Sequence, residues 1–128
     1  MAAFNYSRQR EAIVLNLRQR TDHPTAEMIY TDIRMQFPKL SLGTVYRNLT
    51  LLSDRGDITR LSALDGADRF DARTDRHDHF VCHSCGAVLD LPPSDYTALI
   101  CNTQKTFPGL IEDCRVLYRG ICVSCRKG

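Results

Sequence analysis

No apolar run in the chain approaches the roughly 20 residues that a helix needs to span a bilayer. The N-terminal stretch "MAAFNYSRQREAIV" has no apolar segment behind a basic start. These absences argue against membrane association and export, and the chain is expected in the cytoplasm. Internal repeats and low-complexity tracts are missing too, so the fold is not a stack of repeated units. Strong charge of either sign is also lacking: the net charge is +2. It is unevenly placed, with nine Lys/Arg against six Asp/Glu in residues 1–60 and eight against nine in residues 61–128. Such a bias speaks for nucleic acid only if an element able to read it lies in the basic half. What remains is an ordinary globular composition, 43% hydrophobic and 25% charged over 128 residues. That length suits one medium domain or two small ones sharing a hinge.

The basic half reads mostly as helices. "SRQREAIVLNLRQR" sets Ala12, Ile13, Leu15 and Leu17 among arginines, with Ser7 available as a cap. "HPTAEMIYTDIRMQF" spaces Ala26, Ile29, Ile33 and Phe37 three to four apart, with Thr25 as N-cap and Pro38 as the stop. "SLGTVYRNLTLLSDRG" is capped by Ser41, repeats Val45, Leu49 and Leu52 on one face, and ends at Gly56. "DITRLSAL" and "ADRF" around Asp65-Gly66 then read as a β-hairpin. Three helices and a hairpin make a winged helix-turn-helix, whose third helix is the expected reading element.

After Phe70 the character changes. Polar "DARTDRHD" reads as a hinge, "HFVC" and "AVLDL" as short strands, residues 95–106 as a helix opened by Pro92-Pro93-Ser94, and "LIEDCRVLYRGIC" as a strand. The expected class is therefore α+β: a winged-helix domain over 1–71, a hinge over 72–79, and a small C-terminal α/β domain over 80–128.

Six cysteines without an export signal point to metal or redox chemistry rather than disulfides. Cys82-x-x-Cys85 and Cys122-x-x-Cys125 are separated by 36 residues. Two such pairs complete a closed tetrahedral Zn²⁺ shell, which contributes folding energy and leaves no open position for catalysis. A pair of redox dithiols is disfavoured because the βαβ context of such motifs is absent. Cys101 and Cys114 have no partner in this scheme and read as small buried hydrophobes.

The pairs leave the histidines of "HDHFVCHSCGAVLD" unexplained. His83 sits inside the knuckle and is expected to face solvent. His77 and His79 share one face of a strand, with Asp78 and Cys82 on the other, so two separate sites are the natural arrangement. Asp71, Asp90 and His23 are candidate further ligands. This oxygen and nitrogen set suits Fe²⁺, Mn²⁺ or Zn²⁺, although a lone His before a Pro, or an Asp in a polar linker, is more often a solvated surface residue.

The segments "HPTAEMIY", "SLGTVYRNL", "RFDA", "HDHFVCHSCG" and "GICVSC" occur in the order and spacing of the ferric uptake regulator family, which the chain resembles from about Ser7 to Cys125. The resemblance implies a DNA-binding winged helix, a hinge, a dimerisation domain with a structural four-cysteine zinc, and a regulatory metal held by His23, Asp71, His77, His79 and Asp90. Asp71, where other members have Glu, resembles the peroxide-sensing branch, in which bound Fe²⁺ reacts with peroxide and oxidises histidines matching His23 and His77. Departures are equally plain. The sequence begins close to the first family helix, and Arg76 and Cys114 stand where an additional metal site of some relatives has histidines. The combined reading is a homodimeric, metal-dependent repressor, not an enzyme, with structural Zn²⁺ and regulatory Fe²⁺ or Mn²⁺. A palindromic duplex would be read by Ser41, Thr44, Tyr46, Arg47 and Asn48. The alternatives are a regulator of iron, zinc or manganese uptake without peroxide chemistry, and a zinc metalloenzyme built on His77, His79 and an aspartate.

Overall fold

A computed structural model describes residues 2–62 and 66–128, with residues 2–7 described by their backbone alone. The chain divides into two compact units, residues 1–74 and 75–128. The boundary falls inside the stretch read as a hinge, and it assigns His77 and His79 to the second unit.

The first unit holds α1 (Ala2–Arg18), α2 (Ala26–Ile33), α3 (Leu42–Asp54), β1 (Thr59–Leu61) and β2 (Arg69–Asp71). Helix α1 runs through Ser7, which is therefore not its cap. Ile13 and Leu17, one turn apart, are buried, whereas Leu15 is exposed because it lies on the opposite side of the helix. In α2, the Thr25 hydroxyl accepts from the Met28 amide at 3.2 Å, satisfying one orphan donor of the first turn. The helix ends at Ile33, five residues before Pro38. Proline disfavours helical backbone at the preceding Phe37, and Met35 has no core to enter, being 85% exposed.

Ser41 caps α3 as its position suggested, accepting from the Thr44 amide at 3.1 Å. The far end closes in a Schellman arrangement. Gly56 takes φ +79°, its amide donates to Ser53 O at 3.0 Å, and Asp57 N donates to Leu52 O at 2.9 Å. Ile29, Val45 and Leu49 from α2 and α3 meet Ile13, Leu17 and Phe70 in one core. Each buried large aliphatic or aromatic side chain there contributes about 1.5–3 kcal/mol. Strands β1 and β2 pair antiparallel, Thr59 opposite Asp71 and Leu61 opposite Arg69. Of the turn expected between them, Asp65 lies outside the described residues, as do Ala63 and Leu64 of "DITRLSAL"; Gly66 takes φ +109°.

The second unit contains β3 (Asp78–Cys82), β4 (Val88–Leu91), α4 (Tyr96–Gln104), β5 (Leu117–Gly120) and α5 (Val123–Lys127). The sheet order is β4-β3-β5, with β3 antiparallel to β4 and parallel to β5. Asp95, not Ser94, caps α4, accepting from Ala98 N at 3.0 Å. The strand expected from residue 110 onward shrinks to β5. The Gln104 side chain donates to Phe107 O and Gly109 O and accepts from Ile111 N, so this segment's backbone groups are engaged away from the ladder. The C-terminal residues, for which no helix was expected, form the short α5. No residue of α4 or α5 is buried. Cys101, on α4, is exposed and Cys114 partly so, which corrects the expectation that both are core residues.

Candidate metal centres and nucleic-acid interface

The first cluster is built by two turns. Beyond β3, the Gly86 amide donates to Cys82 O at 2.8 Å and Cys82 N donates to Ala87 O at 2.9 Å. Gly86 takes φ +80°, a left-handed conformation that glycine adopts without steric penalty. This tight return brings Cys85 back over Cys82. The second pair follows β5, whose parallel pairing with β3 sets Gly120 opposite Cys82. Cys122 N donates to Cys82 Sγ at 3.3 Å, and Arg126 N to Cys122 O at 2.8 Å.

The four sulfurs of Cys82, Cys85, Cys122 and Cys125 lie within 4.8 Å of one another. A tetrahedral zinc shell with Zn–S of about 2.3 Å places its sulfurs about 3.8 Å apart. Cys85 Sγ and Cys122 Sγ are separated by 3.7 Å, so the donors fit Zn²⁺ in spacing as well as in chemistry. Amide donation from Cys122 and Cys85 brings the Cys82 thiol down to about 6. At Cys125 the Ser84 hydroxyl pulls downward, but the other three sulfurs outweigh it and push the thiol up to about 12. Crowded thiolates repel one another, and a dication removes that repulsion.

The histidines that the parity argument separated from Cys82 do lie on one face. His77 and His79 have ring centroids 4.4 Å apart. Asp90 on β4 is the register partner of His79, and cross-strand partners share a face. Its Oδ1 stands 2.9 Å from His77 Nε2 and 3.4 Å from His79 Nε2. His77 Nδ1 lies 2.7 Å from Asp75 O. A carbonyl only accepts, so Nδ1 carries a proton, and Nε2 is the ring nitrogen that faces Asp90. His83 is exposed, as expected from its place in the knuckle.

In the first unit His23 and Asp71 form a second pair, with His23 Nε2 3.2 Å from Asp71 Oδ2. His23 is 4% exposed, unlike the solvated histidine usual before a proline. It takes φ +53°, a conformation that costs a non-glycine residue roughly 1–2 kcal/mol. Strand β2 holds it there: Arg69 Nη1 donates to His23 O at 3.1 Å and Phe70 N to Pro24 O at 2.9 Å. Asp71 Oδ1 accepts from Arg73 N at 2.9 Å. Each of these residues offers nitrogen or oxygen and none offers sulfur, the donor chemistry of Fe²⁺, Mn²⁺ or Zn²⁺.

The five residues expected to meet DNA divide. Ser41 and Arg47 are exposed and Thr44 partly so; the Ser41 and Thr44 hydroxyls share a hydrogen bond at 2.9 Å, and Arg47 Nη2 donates to Thr44 Oγ1 at 3.1 Å. Tyr46 is half-buried against the core. Asn48 is buried at 4% exposure. Its Oδ1 accepts from Arg10 Nε at 3.0 Å and its amide donates to Thr44 O at 3.0 Å. That amide braces α1 against α3 and does not face outward as expected.

Sequence reasoning missed a polar cluster on the other side of β3. Asp78 is 1% exposed and accepts hydrogen bonds from Ser94 Oγ and Tyr96 Oη. Burial pushes its carboxyl upward, but the Ser94 and Tyr96 hydroxyls outweigh that and hold it below the usual carboxylate value. The parity that separated Asp78 from the histidines was legible; its partners beyond Pro93 were not.

The model of the ferric uptake regulator family matches residues 2–106. The chain belongs to the ferric uptake regulator family. Among curated members, the peroxide-responsive repressor PerR of Staphylococcus epidermidis is 32% identical over 121 residues, spanning 93% of this chain and 79% of that one. The peroxide stress regulator of Campylobacter jejuni superposes with a TM-score of 0.75 at 26% identity, over 95% of this chain and 92% of that one. The ferric uptake regulator of Helicobacter pylori shares the fold, with a TM-score of 0.79 at 24% identity over 94% and 81% of the two chains. The family is one of transcriptional regulators, and among the described residues no helix is long and apolar enough to cross a membrane.

Proposed function

We propose that this member of the family is a homodimeric, metal-dependent DNA-binding repressor that responds to peroxide through a regulatory metal site. The observation that carries the reading is the pair of sulfur-free donor sets. One is His77 and His79 around Asp90 in the second unit; the other is His23 with Asp71 in the first. In this reading these nitrogen and oxygen donors hold the regulatory metal, and its binding is coupled to the presentation of α3. The four-cysteine cluster holds a structural Zn²⁺ that orders the second unit.

The regulatory site would take Fe²⁺ or Mn²⁺, and Fe²⁺ held there would supply the redox chemistry by which hydrogen peroxide, reduced to water, oxidises His23 or His77 with gain of one oxygen. His77 contributes an imidazole whose tautomer is set by Asp75 O. His23 contributes one held in a left-handed backbone by β2. Oxygen added to either ring removes a nitrogen lone pair or its alignment, so the site loses affinity and the repressor releases DNA.

Helix α3 would enter the major groove, with Arg47, Ser41 and Thr44 offering donors to phosphates and base edges. A second copy would cover the second unit, where Leu99, Leu117, Tyr118, Ile121 and Val123 are exposed. Two-fold pairing of the recognition helices then calls for a palindromic operator. Mass spectrometry of the iron-loaded protein before and after dilute peroxide tests the proposal, with added oxygen expected on His23 or His77. Metal-activated DNA binding without histidine oxidation would instead make the protein a regulator of metal uptake. Metal-independent DNA binding would remove the switch altogether.

A further inference from the structure

Ladder pairing of strand β3 thins just before His79, on the side where His77 lies. Toward its N-terminal end, its last register partner on β4 is Leu91, opposite Asp78, and pairing with β5 begins only at His79. His77 therefore precedes the strand, and Asp78 is paired in the ladder on one side alone. A strand end supported in this way frays readily, yet both imidazoles need fixed directions to serve as ligands.

The even-numbered residues supply what the ladder does not. Asp78 points away from the histidine face, and its buried carboxylate binds the hydroxyls of Ser94 and Tyr96 at the start of α4. A buried carboxylate without donors costs several kcal/mol, so these hydroxyls set its position firmly. Arg76 is anchored as well. Its guanidinium lies 4.2 Å from the centre of the Tyr96 ring, pairs with Asp113 at 2.7 Å and donates to Cys114 O. Through residues 75–79, alternate side chains thus do different work: Arg76 and Asp78 grip α4 and the 113–114 segment, while His77 and His79 face Asp90.

We propose that Asp78, with Ser94, Tyr96 and Arg76, is a positioning cluster that fixes the ring directions of His77 and His79 before any metal arrives. The inference rests on the metal-binding reading of those histidines. It adds residues outside the ligand set that decide how well the set binds. Outer partners that orient ligands commonly change metal affinity by about 10–100-fold when removed.

The test uses full-length, zinc-loaded protein carrying Ser94→Ala, Tyr96→Phe or both, with Ser94→Thr retaining the hydroxyl. Ring-nitrogen NMR without regulatory metal should show one fixed tautomer for His77 in the parent and averaged signals in the double variant. Mn²⁺ titration should show affinity falling by about 10–100-fold in the double variant and little in Ser94→Thr, with zinc content unchanged. Parent-like ring signals and Mn²⁺ affinity in the double variant would overturn the proposal. Should the double variant lose zinc, Tyr96→Phe alone decides: a lower melting temperature with parental Mn²⁺ affinity and ring signals makes the cluster a structural brace only. Should the parent show no Mn²⁺ binding sensitive to His79→Ala, the metal reading fails, and the ring signals of the metal-free proteins still judge the positioning separately.

Discussion

Cys125→Ser should unfold the end of the second unit first and lower the stability of the rest. The second unit has a thin core: its buried apolar side chains are Val81, Cys82, Val88 and Cys122, two of which belong to the four-cysteine cluster. Helix α5 buries nothing, so a zinc ion held through Cys122 and Cys125 would be its main tie to the rest of the unit. Apparent zinc-binding energies in closed structural sites run to about 10–16 kcal/mol, comparable to the whole stability of a typical domain at about 5–15 kcal/mol. Removing one of four thiolates sacrifices a large part of that energy, so a loss of several kcal/mol is expected in the second unit. Core residues Ile13, Ile29, Leu49 and Phe70 should keep the first unit folded. Zinc release to a chromogenic chelator, thermal melting by circular dichroism and sedimentation together read the result. The variant should lose zinc readily, show an early additional melting step and dissociate. Full zinc content, one unchanged melting transition and an intact dimer would refute the reasoning.

Arg47→Ala should weaken operator binding by about 1–3 kcal/mol without altering metal content, measured by fluorescence anisotropy; parental affinity would move the reading surface off α3. His23→Asn keeps a residue tolerant of φ +53°, and should retain zinc and melting temperature while losing metal-activated DNA binding in the same assay. Asp71→Glu should preserve metal-activated binding but slow peroxide-driven release, because the longer carboxylate changes how the histidine opposite it is held; release as fast as the parent would count against peroxide sensing. Asp22, whose carboxyl the Arg20 guanidinium holds below the usual range, contributes stability above its unfolded pKa of about 4; this is lost as pH falls through the lower folded value. With Asp22 half exposed, the effect should stay below about 1 kcal/mol, and the melting-temperature gap between Asp22→Asn and parent should vanish in strong acid.

Sequence alone was enough for features governed by near neighbours. Helix spacing around Val45, Leu49 and Leu52, the caps at Thr25 and Ser41 and the glycine stop at Gly56 follow from backbone groups within a turn or two. Strand parity separated His77 and His79 from Asp78 and Cys82, because side chains alternate whatever the strand later packs against. The two cysteine pairs announced one cluster through donor type and spacing. Other features depended on surfaces brought together only by folding. Asn48 reads as an outward polar residue until α1 delivers Arg10 to its amide. Cys101 reads as a small hydrophobe until α4 is seen to bury nothing. His23 reads as a candidate ligand weighed against the commoner solvated histidine, and its burial appears only when β2 closes over it through Arg69 and Phe70. Asp78 acquires its role only when the chain beyond Pro93 carries Ser94 and Tyr96 back to it. Periodicity records which way a side chain points, but burial and hydrogen-bond partners depend on which distant segment arrives there, and that is decided by tertiary packing.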